Sequence, residues 1–422
     1  PGKARCASRA SVPGIRVTHA PLCPGARVET LRRELGPAFE GIEIGSTVAD
    51  VEKPEGLPPL EVDEPTLTMT FQVNTSPYAG TEGRFVTSRQ IREWLHRELH
   101  TNVALRVDDT EDAANYRGTE YIGKLGVEQS YEAELHGMTG LAEIETSASG
   151  HPVRRLPSNP ATPGNEVVLS IDIRLQALVE QMFGDRRGAL VALDPRSGEV
   201  LAFVSKPTFD PNLFVDGIDS ESWKELNESV DKPLLNRALR GTYPPGSTYK
   251  PFMAIAALNS GKRSPSQVIF DGGTFQFGNH TFRSHGDKGL GPVDMHRSIV
   301  KSSNVYYYSL ANEMGVDLMH DQLEPVGFGR KTGIDVEGEV TGLLPSTEWK
   351  RKAYKKPEQQ KWYAGETISL GIGQGYNNFT MLQLASATAT LVSGGQRYKP
   401  RLVREVQDVV TGERRVLVND AL

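Results

Sequence analysis

The stretch Gly241-Thr-Tyr-Pro-Pro-Gly-Ser-Thr-Tyr-Lys250 decides how the fold is interpreted, because it sets a serine three residues before a lysine. The apolar residues that follow, as far as Ser260-Gly261, recur at helical spacing, so Ser247 and Lys250 are predicted at the start of a helix. Side chains at positions i and i+3 of a helix share one face. We therefore expect the lysine amine to approach the serine hydroxyl, which the turn at Pro244-Pro245-Gly246 exposes.

This pair has the chemistry of an activated nucleophile. A serine hydroxyl attacks weakly until a nearby base accepts its proton. A helix N-terminus favours a developing alkoxide, and burial lowers the pKa of a lysine, so a neutral amine can be that base. The spacing alone is a weak signal, because Ser229-Val-Asp-Lys232 has it too, before Pro233 and in charged surroundings that indicate a solvated loop. Taken alone, Ser247 and Lys250 could also be an ordinary helix cap.

A second polar group, Ser302-Ser303-Asn304, strengthens the interpretation. Apolar residues on both sides of it, between Val293 and Gly315, predict two packed helical pieces. A hydroxyl and a carboxamide beside a serine–lysine pair can relay a proton to a leaving amine and hold a substrate amide. By itself, however, the triplet is more typical of a solvent-facing loop.

Length and composition exclude several classes of protein. A chain of 422 residues can hold two or three domains, and its 38% hydrophobic and 24% charged residues are typical of globular proteins. The net charge of −6 argues against a dedicated nucleic-acid binder. No long apolar run predicts a membrane span, and no signal peptide opens the chain. The cysteines are Cys6 and Cys23 alone, so no disulfide framework or cysteine-ligated zinc site is expected after them.

Residues 1–165 divide into three predicted segments. Residues 1–40 show no sustained period and are expected to be unassigned and disordered. Residues 41–113 contain an alternating strand, a helix that Ser88 can cap and a second strand, which is half of a ferredoxin-like βαβ unit. Residues 114–165 are a further segment, and their proline- and asparagine-rich end at 156–165 predicts a domain boundary.

Residues 166–422 are predicted to form an α+β domain. A helix is expected at 172–183, followed by a hairpin of Gly188–Leu193 and residues 199–205 joined by the turn at 194–198. A mostly helical stretch then continues to about residue 395.

From residue 114 to about 403 the chain resembles the penicillin-binding protein 2 family of class B D,D-transpeptidases. The resemblance is carried by FDPNLF at 209–214, LLNRALRGTYPPGSTYKPF at 234–252 and SLGIGQGYNNFTMLQLASATATLVSGG at 369–395. Serine–lysine and serine–asparagine motifs are two of the three that such enzymes share with β-lactamases. The resemblance implies an α+β transpeptidase domain of the penicillin-binding/β-lactamase-like type, with a helical subdomain and an antiparallel sheet.

The resemblance also implies roles and partners. Ser247 would be the acylated nucleophile, Lys250 its base, Ser302 the proton relay and Asn304 the contact to the substrate amide. The reaction would cross-link peptidoglycan stem peptides through an acyl-enzyme, without a cofactor, metal or nucleic acid. β-Lactams would be covalent inhibitors, and a membrane glycosyltransferase of the elongation machinery would be a partner. Members of the family are anchored in the inner membrane and face the periplasm.

The third motif of the family, K-[ST]-G, is expected beyond Leu422. Lys331-Thr332-Gly333 has the right letters, but it follows Gly327-Phe-Gly-Arg330 in a loop that in the family precedes the catalytic strand. We therefore expect a C-terminally truncated domain with impaired activity, since loss of one oxyanion-hole donor costs ~100- to 1000-fold in rate. Truncation is also expected to leave the hairpin at 188–205 with an unpaired edge.

Residues 41–113 resemble a different family, the ribosome-associated translational GTPase BipA/TypA, at the end of its second domain and the start of its third. The resemblance is carried by the stretch from GIEIGSTVAD to NVALRVDDTEDA. A phosphate-binding G-x-x-x-x-G-K-[ST] loop is absent from the sequence. Two alternatives to the transpeptidase therefore stay open: a ribosome-binding fragment, and a non-functional fusion of two sequences.

Two further groups have simpler interpretations. His280, His285 and Asp287, with Asp271 nearby, could hold a metal ion, but nothing in the sequence fixes their geometry and no metal site is predicted. The run at 306–308, three tyrosines, is expected to pack in the core.

Overall fold

The computed structural model describes residues 15–19, 46–50, 115–116, 121–140, 144–146, 152–155, 159–215, 217–284 and 288–418. They belong to two units, Pro1–Gly118 and Thr119–Leu422. In the first unit, β1 (Ile15–His19) pairs antiparallel with β2 (Ser46–Asp50), so a strand occurs where the sequence showed no period. The ferredoxin-like βαβ pattern predicted around the helix that Ser88 can cap lies outside the described residues.

The second unit begins with short elements that lead to the larger domain. They are α1 (Gly126–Ser130), α2 (Glu132–Leu135), the antiparallel pair β3 (Ile144–Thr146) and β4 (Pro152–Arg155), and β5 (Glu166–Leu169). Asn165, directly before β5, donates from its side chain to Glu134 at 2.8 Å and from its backbone to the Glu134 carbonyl at 2.7 Å. These bonds attach the α2 segment to the start of β5.

The helix and hairpin predicted after residue 166 are both confirmed. α3 (Ile173–Phe183) begins after Asp172, whose carboxylate accepts from two N–H groups of its first turn and so caps it. β6 (Gly188–Leu193) and β7 (Val200–Lys206) form the antiparallel hairpin.

The strands after β7 are short. They are β8 (Thr242–Tyr243), β9 (Ile269–Asp271), β10 (Thr274–Phe277), β11 (His280–Arg283), β12 (Gly291–Val293), β13 (Phe379–Thr380), β14 (Val403–Gln407) and β15 (Arg414–Val416). β9 pairs with β12, β10 with β11, and β8 with β13, while β14 lies between β5 and β15. The expectation of a mostly helical stretch was therefore incomplete, because four strands of three or four residues interrupt it and are too short to show a period.

Most of the helices that the structure describes in this unit follow β7. They are α4 (Ser220–Glu228), α5 (Lys250–Asn259), α6 (Met295–Val300), α7 (Asn304–Met314), α8 (Val316–Leu323), α9 (Thr347–Ala353), α10 (Pro357–Gln360), α11 (Ala364–Leu370) and α12 (Met381–Val392), with 3₁₀ turns at Pro211–Phe214, Gly246–Tyr249 and Glu324–Val326. The two helical pieces predicted on either side of the serine–asparagine motif are α6 and α7. Among the described residues, no helix is long and apolar enough to span a bilayer.

The main hydrophobic core lies directly beneath the start of α5. Tyr249 packs edge-on against Phe328 at 5.3 Å and stacks on Phe379 at 5.8 Å, and Phe252 meets Phe328 at 5.1 Å between ring centroids. Aromatic pairs of this kind contribute beyond the area they bury. The three tyrosines at 306–308 are also buried in this core, as predicted. The core thus fixes the position of the serine–lysine segment.

Candidate active site

Ser247 lies on the exposed side of a rigid turn. It belongs to the 3₁₀ turn Gly246–Tyr249, which continues into α5, and its side chain is exposed whereas Tyr249 and Lys250 are buried. The N–H of Gly246 donates to the carbonyl of Gly373 at 3.0 Å. A Cβ atom on Gly373 would lie 2.4 Å from the Gly246 carbonyl oxygen, so only glycine allows this close approach. The turn is held from below by Tyr249 and from the side by Gly373.

Lys250 binds both polar residues of the second motif. Its side chain is 1% exposed, and Nζ donates to the Ser302 carbonyl at 2.7 Å, to Ser302 Oγ at 2.9 Å and to Asn304 Oδ1 at 2.7 Å. The Ser302 hydroxyl in turn donates to Ser247 Oγ at 3.0 Å. The four residues singled out in the sequence are therefore together. Hydrogen bonds through Ser302 connect Lys250 to Ser247, and a direct approach of the amine to the Ser247 hydroxyl stays a prediction.

Burial makes Lys250 a usable base. Loss of hydration lowers the pKa of its amine from 10.5 to about 8, against the opposing attraction of the Asp271 carboxylate. The face of the Tyr307 ring, 5.6 Å from Nζ, adds a favourable contact to the charged form. An amine with this pKa is neutral in about one molecule in ten at pH 7, and in most molecules at pH 9. The site therefore holds a base that ordinary exposed lysines do not provide.

Asp271 orients the second motif from within the core. Its carboxylate is fully buried and accepts from the Ser303 hydroxyl at 2.6 Å and from the Gly273 N–H at 2.8 Å. Ser303 Oγ accepts from the Tyr306 N–H at 3.1 Å and so caps α7. This cap sets where Ser302 and Asn304 stand on either side of Ser303. Asp271 entered the sequence-based prediction only as a candidate metal ligand, because its contact to Ser303 joins residues 32 positions apart.

Ser302 has a strained backbone. Its φ angle is +53°, in the left-handed region that costs non-glycine residues about 1–2 kcal/mol. In this conformation both its carbonyl and its hydroxyl accept from Lys250 Nζ. Such strain persists only where the surroundings over-determine it, and it is concentrated at functional sites.

The other serine–lysine and K-T-G sequences lie in different surroundings. The N–H groups of Thr332 and Gly333 donate to the buried Glu339 carboxylate at 2.6 and 3.0 Å, which makes this loop a carboxylate-anchored turn. Ser229 and Lys232 lie in a turn where Ser229 is half-buried and Lys232, with a φ of +43°, is exposed, as expected for a loop. Neither sequence contributes to the hydrogen bonds of Lys250.

The weaker metal candidates are not brought together in the part of the chain that the structure describes. His280 is exposed and packs edge-on against Phe282, with ring centroids 4.6 Å apart. His285 and Asp287 lie outside the described residues. Among the described residues, no group of three or more histidine, cysteine or acidic side chains is arranged to hold a metal ion.

Comparisons with known proteins identify the family of the chain. The family model for the penicillin-binding protein transpeptidase domain matches residues 188–420, and the model for the penicillin-binding protein dimerisation domain matches residues 88–169. The second match begins at residue 88 and so includes the end of the segment 41–113, for which a different family was expected.

Individual relatives are similar to this chain. The chain is 43% identical over 328 residues to the peptidoglycan D,D-transpeptidase MrdA of Acinetobacter baumannii, an alignment that covers 76% of this chain and 48% of the relative. It is similar to the crystal structure of Pseudomonas aeruginosa PBP2 in complex with WCK 5153, with a TM-score of 0.61 and 42% identity over 74% of this chain and 67% of that one. The chain spans about half the length of the curated relatives it matches.

A more distant solved structure is an acyl-enzyme complex of another penicillin-binding protein. Penicillin-binding protein A of M. tuberculosis, solved as its penicillin G acyl-enzyme complex, is 26% identical, with a TM-score of 0.52 over 62% of this chain and 60% of that one. The transpeptidase model covers more than half of the present chain and includes Ser247, Lys250, Ser302 and Asn304. The chain therefore belongs to the penicillin-binding protein transpeptidase family.

Proposed function

We propose that this protein is a serine D,D-transpeptidase that cross-links peptidoglycan stem peptides through an acyl-enzyme at Ser247. The observation that carries the proposal is the continuous set of hydrogen bonds from a buried amine of lowered pKa, through Ser302, to an exposed serine hydroxyl. An activated serine beside a neutral lysine is suited to acyl transfer. The family to which the chain belongs, and the relatives named as transpeptidases, support the same substrate class.

In the acylation step, Ser247 Oγ attacks the carbonyl carbon of the penultimate D-alanine of a stem peptide. The hydroxyl proton passes to the neutral Lys250 amine, with Ser302 as the bridging group, since a hydroxyl can accept and donate at once. The tetrahedral intermediate then collapses and its C–N bond breaks. The terminal D-alanine leaves as an amine that takes the proton back from Lys250 by way of Ser302.

In the transfer step, an amine of a neighbouring stem peptide attacks the Ser247 ester. The ester C–O bond breaks, a new amide bond forms, and the proton of the attacking amine returns to Ser247 Oγ through the same groups. Asn304 accepts from Lys250 through Oδ1, which leaves its amide N–H₂ as a donor for a substrate carbonyl. A β-lactam, whose strained amide acylates a serine in the same way, would be trapped at this residue.

The proposal is tested by incubating the chain with diacetyl-L-lysyl-D-alanyl-D-alanine and glycine as the acceptor amine. We expect release of D-alanine together with the glycine-exchanged product, and loss of both in Ser247→Ala. Ser229→Ala is the matched control, because Ser229 also precedes a lysine by three residues but lies in a turn outside the hydrogen bonds of Lys250. Equal loss in both variants, or turnover that survives Ser247→Ala, would rule out the assignment of the nucleophile.

Partners and location follow from the family. We infer a membrane glycosyltransferase of the elongation machinery as a partner and the periplasmic face of the inner membrane as the location. The resemblance of residues 41–113 to BipA/TypA supports the alternative of a ribosome-binding fragment, or of a fused sequence. Co-sedimentation with ribosomes separates these: pelleting that is lost when residues 41–113 are deleted would support ribosome binding, and absence of pelleting would remove it.

A further inference from the structure

Lys350, on α9, is a buried cation that the proposed mechanism does not use. The residue is 3% exposed, and its Nζ donates to both oxygens of the Glu366 carboxylate. Three aromatic rings also face the amine, with centroids 5.3, 5.5 and 5.6 Å from Nζ; they are Trp362, Tyr363 and Tyr376. Cation–π contacts are stronger when the cation is desolvated. A buried ion pair adds little net stability, so this one is better explained by the geometry that it imposes.

Glu366 lies in the first turn of α11 and joins this helix to the loop that follows it. Its Oε2 accepts from the Tyr363 N–H at 3.1 Å, which caps the start of the helix. Its Oε1 accepts from the Tyr376 hydroxyl at 3.3 Å. Asn377 donates from Nδ2 to the Leu370 carbonyl, at the end of the same helix, at 2.9 Å. The segment 371–375 is therefore a loop whose two ends are both attached to α11.

This loop carries the residue that supports the serine turn. The Gly373 carbonyl accepts from the N–H of Gly246, the residue before Ser247, at 3.0 Å. A Cβ atom on Gly373 would also lie 2.8 Å from the Cβ of Tyr249, so the loop contacts the turn on both sides of the serine. A displacement of the loop would therefore move Ser247 relative to Ser302.

We propose that Lys350 is a positioning residue for the acylation of Ser247, because through Glu366 and Tyr376 it fixes the loop 371–375 that holds the serine turn. The inference rests on the proposed transpeptidase, whose nucleophile this turn carries. Misplacement of a reacting group by about 1 Å can slow a reaction ~100-fold. Lys350 thus acts on the chemical step without contacting the substrate. A lysine that only stabilised the fold would leave the acylation rate of folded molecules unchanged.

The test is acylation of the whole chain by a fluorescent penicillin at increasing concentrations, at a temperature where circular dichroism shows each variant to be folded. Lys350→Met should lower the limiting acylation rate by about 10- to 100-fold and leave the half-saturating concentration nearly unchanged, since the serine moves but the binding groups stay. Lys352→Met is the matched control, because Lys352 lies on the same helix in an exposed ion pair with Glu348. Absence of acylation in the unaltered chain would refute the proposed function itself, whereas equal limiting rates in the unaltered chain and Lys350→Met would overturn this inference alone.

Tyr376→Phe is a milder change, which keeps the proposal testable where Lys350→Met does not fold. It removes only the hydroxyl that donates to Glu366 and should slow acylation about two- to tenfold. Tyr363→Phe is its control, because this ring also faces Lys350 but its hydroxyl donates to the Glu358 carbonyl. Equal acylation rates in the two tyrosine variants would contradict a connection through Glu366.

Hydrogen exchange gives a readout that does not depend on acylation. In Lys350→Met, peptides that contain Gly246 should lose protection, because the bond from its N–H to Gly373 opens more often, whereas Lys352→Met should keep it. Lys350→Met combined with Glu366→Gln should acylate no more slowly than the slower single variant, since both changes break one contact. Multiplication of the two single effects, or full protection of Gly246 in folded Lys350→Met, would overturn the proposal.

Discussion

The lowered pKa of Lys250 predicts a distinctive pH profile for acylation of Ser247. With a pKa of about 8, the neutral fraction of the amine rises from about 9% at pH 7 to about 91% at pH 9. Acylation at limiting penicillin concentration should therefore accelerate about tenfold over this range and then level off. A lysine at its ordinary pKa of 10.5 would instead give about a hundredfold rise that continues beyond pH 9.

The assay is stopped-flow fluorescence of the chain with a fluorescent penicillin between pH 6 and pH 10. Folding is checked at each pH by circular dichroism, so that loss of structure is not mistaken for titration. Asp271→Asn is the informative variant. The Asp271 carboxylate raises the Lys250 pKa against the effect of burial, so its removal should move the midpoint to lower pH.

Two results would refute this reasoning. A rate that keeps rising tenfold per pH unit to pH 10 would mean that the Lys250 amine keeps its ordinary pKa despite burial. A midpoint near 8 that moves to higher pH in Asp271→Asn would mean that the carboxylate does not act on the amine by charge.

Three further predictions concern the residues that hold the site. Gly373→Ala should lower the free energy of unfolding by roughly 1–3 kcal/mol and slow acylation, because the new Cβ meets the Gly246 carbonyl. Gly375→Ala is the control, since Gly375 has a similar positive φ but its new Cβ meets only the side chains of Leu370 and Ser369. Equal acylation rates in the two variants would contradict this. Ser302→Ala and Ser302→Gly should both slow acylation by about 100- to 10,000-fold, because each removes the bridging hydroxyl. In urea unfolding the glycine variant should be about 1 kcal/mol more stable than the alanine variant, because glycine adopts the positive φ without strain. Ser303→Ala should lose about 1 kcal/mol of stability together with the α7 cap, and unchanged unfolding would argue against the cap.

The sequence predicted the parts of the site that depend on local chemistry. Ser247 and Lys250 stand at a helix start because apolar residues at helical spacing follow them, and Pro245-Gly246 shapes the turn before them. α3 and the β6–β7 hairpin were also predictable, since Asp172 is a strong cap and the hairpin strands have a clear turn between them. The loop at Ser229 and Lys232 was predictable from the charged residues nearby.

Contacts between distant segments could not be read from these patterns. The bridging position of Ser302 depends on its left-handed backbone, which serine rarely adopts and which no local pattern signals. The role of Asp271 depends on a contact to Ser303 across 32 positions of the chain. The close approach of Gly373 to Gly246 spans a still longer separation. Each is set by tertiary packing, so the composition of the neighbouring sequence carries no trace of it.

We propose that Ser247 becomes nucleophilic because a buried amine can take its proton through Ser302. The most direct measurement is peptide mapping by mass spectrometry after the chain is exposed to penicillin G at pH 9 and digested. We predict one adduct, on the peptide that contains Ser247, and its absence when Lys250 is replaced by methionine. An adduct on a peptide without Ser247, or an equally modified Lys250→Met chain, would contradict this mechanism.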